Sequence, residues 1–483
     1  MPNLGLRLQG ASAFLLVLAT FSTTACQARN VSIHSLEAHP SVVLITIDTL
    51  RADHLSGYGY TIPTSPNLDA FMAKGVQFTN AFSPAPCTAP SHASIMTGLY
   101  PSFHSVGAYN GIYALSSETE TLAEIAGRNG CTTAAIVSNP VLSKALGLNQ
   151  GFQSYDDHLD GKELNRPDKE QYANTAVDKA LAKMEEFTSD AFFLWLHLHD
   201  PHGPYVPPES WDGFRDRDYA DAQFALPVGE DHSGYRAIPA YQVYYDVRRY
   251  GDYVRRYDSE IAFADHELSR LFDALERTGR LASTMVIVTA DHGEAFGEDG
   301  FYFAHSHSVG TDQVHVPLLM VGPGIPEGRV VSEPVSTRAV FATVLDFLGV
   351  PSPARGWADS LLPLAKGEES RKAQAVYVES LNQVGIVFRH GFLRRDRRPK
   401  DDAEFWAAPN PASGSFWKPL GEQYFRLSEP AELSHKDNLE RLAEMLSVFD
   451  EKAKAFATRI RDGEEVRYSQ EQVRALQALG YAR

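Results

Sequence analysis

Two aspartates and a histidine stand where a folded chain gathers side chains. Asp48 follows the run Ser41-Val-Val-Leu-Ile-Thr-Ile47, and Asp291-His292 follows a second β-branched run, Met285-Val-Ile-Val-Thr289. Between them, residues 84 to 98 read Pro-Ala-Pro-Cys-Thr-Ala-Pro-Ser-His-Ala-Ser-Ile-Met-Thr-Gly and crowd three nucleophilic groups, Cys87, Thr88 and Ser91, around Pro90. Proline suits the first helical position, where its fixed φ fits and its missing N–H is not needed, so the spacing predicts a helix starting there. Free N–H groups and the positive end of the helix dipole would face the residues just upstream and favour an anion beside a hydroxyl or thiol. Two carboxylates and an imidazole suit a divalent cation with mixed oxygen and nitrogen ligands. A hydroxyl held among them is acidified into a nucleophile. Alone, Asp48 or Asp291 reads as a strand-end turn residue; with the nucleophile segment, the pair reads as a metal centre.

The elements that must position these groups are legible from periodicity. Ser41 to Ile47, Thr132 to Val137, Phe192 to Leu198, Met285 to Thr289 and Val316 to Val321 are apolar runs of the kind covered on both faces. They alternate with helical spacing at Leu68 to Lys74, Thr121 to Arg128, Asn174 to Phe187, Tyr253 to Thr278 and Val340 to Leu348. The longest of these carries the stripe Ile261, Leu268, Leu271, Phe272 and Leu275. The alternation predicts an α/β fold, a sheet covered on both faces by helices. Ligands of such sheets bind beyond the strand carboxyl ends, so Asp48 and Asp291 can converge. Residues 140 to 170 are polar and loop-like, and Pro201 to Tyr235, rich in Pro, Gly, Asp and aromatics, reads as a surface insertion near the active face. After Gly356 come a short strand at Val376 to Glu379, a basic cluster from Arg389 to Lys400 and an acidic helical tail. The cluster reads as a solvated loop, with approach to an anionic substrate as the alternative. A boundary near 370 divides a catalytic domain, 41–370, from a small C-terminal α+β subdomain, 371–483.

The net charge of −17, from 61 acidic and 44 basic side chains, argues against a nucleic-acid partner. It also gives an anionic substrate no general attraction, so local positive charge such as a metal must supply it. Residues 1–26 read as a secretory signal: Arg7, an apolar run from Ala11 to Phe21 too short for a confident membrane span, then small residues up to Cys26. Small residues before a lone Cys resemble a bacterial lipoprotein cleavage site, with simple cleavage nearby as the alternative. The expectation is export to the periplasm or outer surface, with membrane contact only through a lipid on Cys26 and residues 27–40 as a linker. In an oxidising compartment, Cys87 and Cys131 pair or stay buried and inert.

An ordered set of segments carries a resemblance. Asp48-Thr-Leu-Arg-Ala-Asp53 with Gly57-Tyr-Gly59 comes first, then Ser65-Pro-Asn-Leu-Asp69 and Gly75-Val-Gln-Phe-Thr-Asn-Ala81. Thr88-Ala-Pro-Ser-His-Ala-Ser with Thr97-Gly98, Asp200-Pro-His202-Gly-Pro-Tyr205, Asp291-His-Gly-Glu294, Ser360-Leu-Leu-Pro363 and Tyr424 to Leu439 follow. The set resembles the sulfatases, within the alkaline-phosphatase superfamily. The resemblance implies an α/β fold with a large mixed β-sheet sandwiched by helices, and a metal-dependent hydrolase of sulfate or phosphate esters with an anionic ester as its partner. It implies one divalent ion (Ca, Mg, Mn or Zn) on Asp48, Asp291, His292 and the Thr88 oxygen, with Asp200 as a candidate support for a second. Thr88, His92, His202 and His305 are the implied catalytic set. His92, one turn along, would orient Thr88; His202 and His305, with His307 as an alternative to the latter, would bind substrate oxygens or protonate the leaving group. His197 and His199 alternate with apolar neighbours and read as structural.

The departures from the family pattern bear on the chemistry. A sulfatase nucleophile is a formylglycine made from Cys or Ser two residues before the motif proline, with Arg two after it. Here Thr88 and His92 hold those positions, Cys87 lies one residue early, and the family's second Asp is Thr49. Threonine cannot become formylglycine, because the modification needs an unbranched Cβ. A threonine alkoxide attacking phosphorus gives a phosphoenzyme that water clears, whereas on sulfur it gives a sulfate ester with no easy hydrolytic route. Thr88 chemistry therefore favours phosphate mono- and diesters. The alternatives are a true sulfatase, arylsulfatase-like, with formylglycine at Cys87, and a phosphoryl transferase acting on envelope lipid or glycan. A non-catalytic binding relative would lose metal ligands, and Asp48, Asp291 and His292 are all present.

Overall fold

The structure, a computed structural model, describes residues 40–106, 114–165, 169–187, 191–211, 214, 219, 224–230, 233–353, 359–368, 375–380, 383–388, 391–396, 423–426, 440, 442–449 and 451. The expected signal segment with Cys26, nearly all of the linker, and residues 427–439 lie outside these.

Strand β1 (Ser41–Ile47) is buried along its whole length. Its side chains alternate between two cores: Val42 and Leu44 join one, Val43, Ile45 and Ile47 the other. This is what a continuous apolar run requires when helices cover both faces. β1 lies between β5 (Phe192–Leu198) and β6 (Thr284–Ala290), parallel to both. Beyond β5 come β3 (Thr132–Ile136) and β4 (Ser154–Asp156), also parallel. Beyond β6 comes β9 (His315–Val321), antiparallel, which pairs with β2 (Val76–Phe82). Among the described residues the sheet has nine strands, so a large mixed sheet between helical layers is what forms. β4 and two short 3-10 turns sit inside the stretch expected to be loop.

One core packs helices α2 (Thr88–Thr97), α4 (Leu122–Arg128) and α8 (Val340–Phe347) on the sheet; the other packs α1 (Pro66–Met72), α5 (Ala173–Glu186) and α6 (Tyr250–Arg277). α2 departs from expectation at its start. It begins at Thr88, not Pro90, with Cys87 extended at φ −157° as the N-cap. Proline is tolerated at the third position because first-turn N–H groups have no intrahelical acceptor. All ten residues of α2 are buried, and it ends at Gly98 (φ 70°), where a Cβ would strike the Phe341 ring at 2.8 Å. Only glycine allows α2 and α8 to approach so closely.

α6 holds the chain after β1 in place. Asp265, almost fully buried on α6, accepts from the Asn67 N–H at 3.0 Å, the Asn67 side-chain amide at 2.8 Å and the Leu68 N–H at 2.6 Å. Asp265→Ala would leave these first-turn donors of α1 without acceptors in a dry interface. We expect a loss of about 2–4 kcal/mol, read as a lower denaturant midpoint, with Asp265→Asn recovering part of it.

A second sheet, β12 (Val376–Glu379), β13 (Gln383–Phe388), β14 (Gly391–Asp396) and β15 (Gln423–Arg426), is antiparallel throughout. Leu442 and Leu446, from a helical stretch at 442–449, pack on Val384, Ile386 and Leu393. The segment read as a solvated basic loop is in its described part strand β14. Arg394 there is buried and forms a two-pronged pair with Asp299, 2.7 Å on each side. That pair ties the small sheet to the loop after β6.

Candidate active site and metal centre

Strand register assembles the site. Ile47 pairs with Leu198 on one side and Ala290 on the other, so the next residues, Asp48, His199 and Asp291, emerge at one level. The Asp48 N–H donates to the Leu198 carbonyl at 3.0 Å, which fixes its depth. Thr49 then turns with φ 54°, a conformation costly for a β-branched residue, by about 1–3 kcal/mol. The Tyr257 hydroxyl from α6 donates to its carbonyl at 2.7 Å, and its N–H donates to Asp291 Oδ1 at 3.2 Å. α2 is tied to the same point, because Ser91 Oγ donates to the Asp291 carbonyl at 2.7 Å. Ser91 is thereby a strut inside the helix.

Asp48, Asp291 and His292 offer ligand atoms that lie within 4.8 Å of one another. His292 Nδ1 bonds the Gly293 carbonyl at 2.8 Å; a carbonyl only accepts, so the hydrogen sits on Nδ1 and Nε2 carries a lone pair. That lone pair faces Thr88 Oγ1 at 3.2 Å, Asp291 Oδ2 at 3.5 Å and Asp48 Oδ1 at 3.7 Å. Asp48 Oδ1 and Asp291 Oδ2 are buried and have no hydrogen-bond partner. Three electron-pair donors thus converge away from water, a set that a divalent ion satisfies and hydrogen bonding does not. The residues fit such an ion. Without it, burial and the Asp48 charge push the Asp291 carboxyl well above its ordinary range. Burial also works against Asp48, yet the nearby His202, His197 and His292 hold it well below. Burial, with His305 adding, pushes His292 down to about 3, so the ring is the neutral form that binds metals.

The other expected residues fall in two places. His92 bonds the Thr88 carbonyl at 2.8 Å through Nδ1 and the Thr46 hydroxyl at 3.0 Å through Nε2. It holds the Thr88 backbone and ties α2 to β1; burial pushes it down to about 3. His202 and His305 lie beside the cluster. Their ring centroids are 5.2 Å apart, and His305 is 4.4 Å from His292. His305 Nδ1 bonds Glu294 Oε1 at 3.0 Å, and Glu294 Oε2 accepts from the Tyr205 hydroxyl at 3.0 Å. His307 instead stacks on Phe301 at 3.8 Å, with neither ring nitrogen hydrogen-bonded. Asp200 instead accepts from the Ala173 N–H at 2.8 Å in the first turn of α5. Cys87 and Cys131 are both buried and are not joined in a disulfide.

Three neighbours of the cluster were not among the expected residues. Asn139 donates its amide to Asp48 Oδ2 at 2.7 Å, its own Oδ1 being taken by the Val141 N–H. His197 Nε2 lies 3.5 Å and His199 Nδ1 3.8 Å from that same Asp48 oxygen. The histidines' alternation with apolar residues is real, but β5 adjoins β1, so both edge the site. A polar residue just past the end of a buried strand was the one signal available for Asn139.

This geometry agrees with the comparisons. Residues 40–350 match the family model described as Sulfatase. A sulfatase of Formosa agariphila is 25% identical over 382 residues, 69% of this chain and 74% of its own. A structure solved with its substrate D-glucosamine-2-N,6-O-disulfate superposes with TM-score 0.66 at 18% identity, covering 88% of this chain and all of the other. A phosphonate monoester hydrolase from Silicibacter pomeroyi gives 0.63 at 20% identity, covering 89% and 100%. Enzymes of the family typically use a divalent metal, and candidate ligand groups for one are present here. The chain belongs to the sulfatase family of ester-bond hydrolases.

Proposed function

We propose that this hydrolase cleaves phosphate mono- and diesters, with Thr88 as its nucleophile. What supports the reading is one contact: Thr88 Oγ1, on the first residue of a buried helix, lies 3.2 Å from the His292 lone pair at the edge of the carboxylate cluster. Cys87, one residue earlier, belongs to the apolar cluster with Ala89, Ala93 and Met96. The phosphonate monoester hydrolase neighbour adds that this fold also serves phosphorus esters.

Asp48, Asp291, His292 and Thr88 Oγ1 would hold one divalent ion, which when bound supplies Lewis acidity that lowers the hydroxyl pKa and screens developing charge. Thr88 Oγ1 attacks phosphorus, the bond to the leaving oxygen breaks, and a phosphothreonine results. His305 suits protonation of that oxygen. Its Nδ1–H points to a carboxylate, which orients the ring and leaves Nε2 to carry the transferred proton. His202 Nδ1–H is held by the Gly203 carbonyl at 2.8 Å, which sets its ring orientation beside His305. Water then attacks phosphorus and frees Thr88, with His305 taking the water proton. The N–H groups of the first turn of α2 favour the substrate anion.

The test is turnover of an aryl phosphate, a bis-aryl phosphate, a phosphonate monoester and an aryl sulfate by purified protein. The expected result is turnover of the phosphorus esters, lost in Thr88→Ala. Turnover of the sulfate alone, surviving Thr88→Ala, overturns the reading in favour of formylglycine at Cys87. Export with a lipid on Cys26 stays part of the proposal on sequence grounds, and mass spectrometry of the mature N-terminal peptide tests it.

A further inference from the structure

A second group of ligand-type side chains adjoins the first. Glu163, Glu170 and His199 are all buried, and their ligand atoms lie within 4.8 Å of one another. Metal–ligand bonds of about 2.0–2.2 Å give ligand separations up to about 4.4 Å across a metal, so the group is already near closure. His199 is 3% exposed and neither ring nitrogen has a hydrogen-bond partner. Its Nε2 points at Glu170 Oε2, 3.4 Å away, and its Nδ1 faces Asp48 Oδ2 at 3.8 Å.

The arms carrying the glutamates are built to meet. The Gly161 N–H donates to the Glu170 carbonyl at 2.8 Å, and a Cβ on Gly161 would lie 2.6 Å from that oxygen. Gln171 bonds Ser138 through its side-chain amide at 3.3 Å, and Ser138 Oγ donates to the His197 carbonyl at 2.7 Å. Glu170 is thereby anchored to the ends of β3 and β5. The surroundings are strongly acidic. Asp200 and Glu260 are buried alongside, and Glu260 Oε2 lacks a hydrogen-bond partner. So much buried negative charge calls for a cation or for bound protons.

We propose that Glu163, Glu170 and His199 Nε2 bind a second divalent ion of the zinc or manganese class, linked to the first through His199. Two carboxylates and an imidazole favour such ions over calcium or magnesium, which prefer all-oxygen sites. With Nε2 on the ion, the ring hydrogen sits on Nδ1, which faces Asp48 Oδ2 at 3.8 Å, so one imidazole would stand between the two ions.

The test is metal content per chain after chelation, reloading with Zn²⁺ or Mn²⁺ alone, and desalting. Glu163→Gln/Glu170→Gln should hold one ion fewer than wild type. Asp291→Asn should lose the other ion, so failure at one site is distinguishable from failure at the other. His199→Gln, checked for folding by near-UV circular dichroism, serves as a second variant and should also fall by one. An unchanged count in the glutamate double variant and in His199→Gln overturns the proposal and leaves the group as an ion pair around protonated His199.

Discussion

Thr88→Ala is expected to lower kcat/KM on an aryl phosphate at least ~10³-fold, about 4 kcal/mol of transition-state stabilisation, without unfolding the protein. The change removes one hydroxyl and one methyl at the first position of α2 and touches no backbone bond. Gly98, Ser91 and His92 continue to hold the helix. Asp48, Asp291 and His292 are unaltered, so metal content should persist. Thr88→Ser, which keeps the oxygen and gains rotamer freedom, should retain activity within ~10²-fold. Cys87→Ala should act on stability instead, by about 1 kcal/mol, because its thiol fills space in the apolar cluster. The discriminating comparison is the steady-state kinetics of these three variants beside their circular dichroism. A Cys87→Ala enzyme that is folded and inactive would reverse the assignment.

Removing the ion should have the second-largest effect, and its pH dependence has a definite sign. An ion at ~1,000 times its Kd stabilises the fold by about 4 kcal/mol, so chelation should lower Tm by roughly 5–15 °C and abolish turnover. In the ion-free protein, burial and Asp48 push the Asp291 carboxyl well above its ordinary value. A carboxyl raised in the fold favours the native state at acid pH, and that contribution is lost as pH rises through the folded value. Chelated protein should therefore have a lower Tm at about pH 8 than at about pH 5, whereas loaded protein, with Asp291 held ionised, should not lose Tm from this source. Differential scanning calorimetry at both pH values, with and without chelator, measures the difference. Equal slopes for the two forms would show that the Asp48–Asp291 pair does not hold the ion.

Asp48 and Asp291 were legible because each ends a run whose composition alone demands a buried strand, and parallel strands deliver their C-terminal residues to one edge. Their neighbours depended on strand order. His199 and Asn139 approach Asp48 only because β5 lies beside β1 and β3 beside β5, pairings between distant stretches of chain (Val42 with Phe193, Thr132 with Phe192) that no local pattern encodes. β2 went unread as a strand because Gln77, Thr79 and Asn80 interrupt its apolar residues; its register with β9 shifts between Phe78 and Ala81. Arg394 looked solvated in a basic stretch, since its carboxylate, Asp299, lies in the distant loop after β6. The start of α2 was misplaced by two residues because proline fits anywhere in a first turn. That shift matters for mechanism: Thr88 is itself the first helical residue, with its oxygen turned to His292.

The central claim, that Thr88 attacks, is tested most directly by peptide mass spectrometry of protein acid-quenched during turnover of an aryl phosphate. The account predicts a phosphoryl group on Thr88 and an unmodified thiol at Cys87. An aldehyde in place of the Cys87 thiol, with Thr88 unmodified, would contradict it.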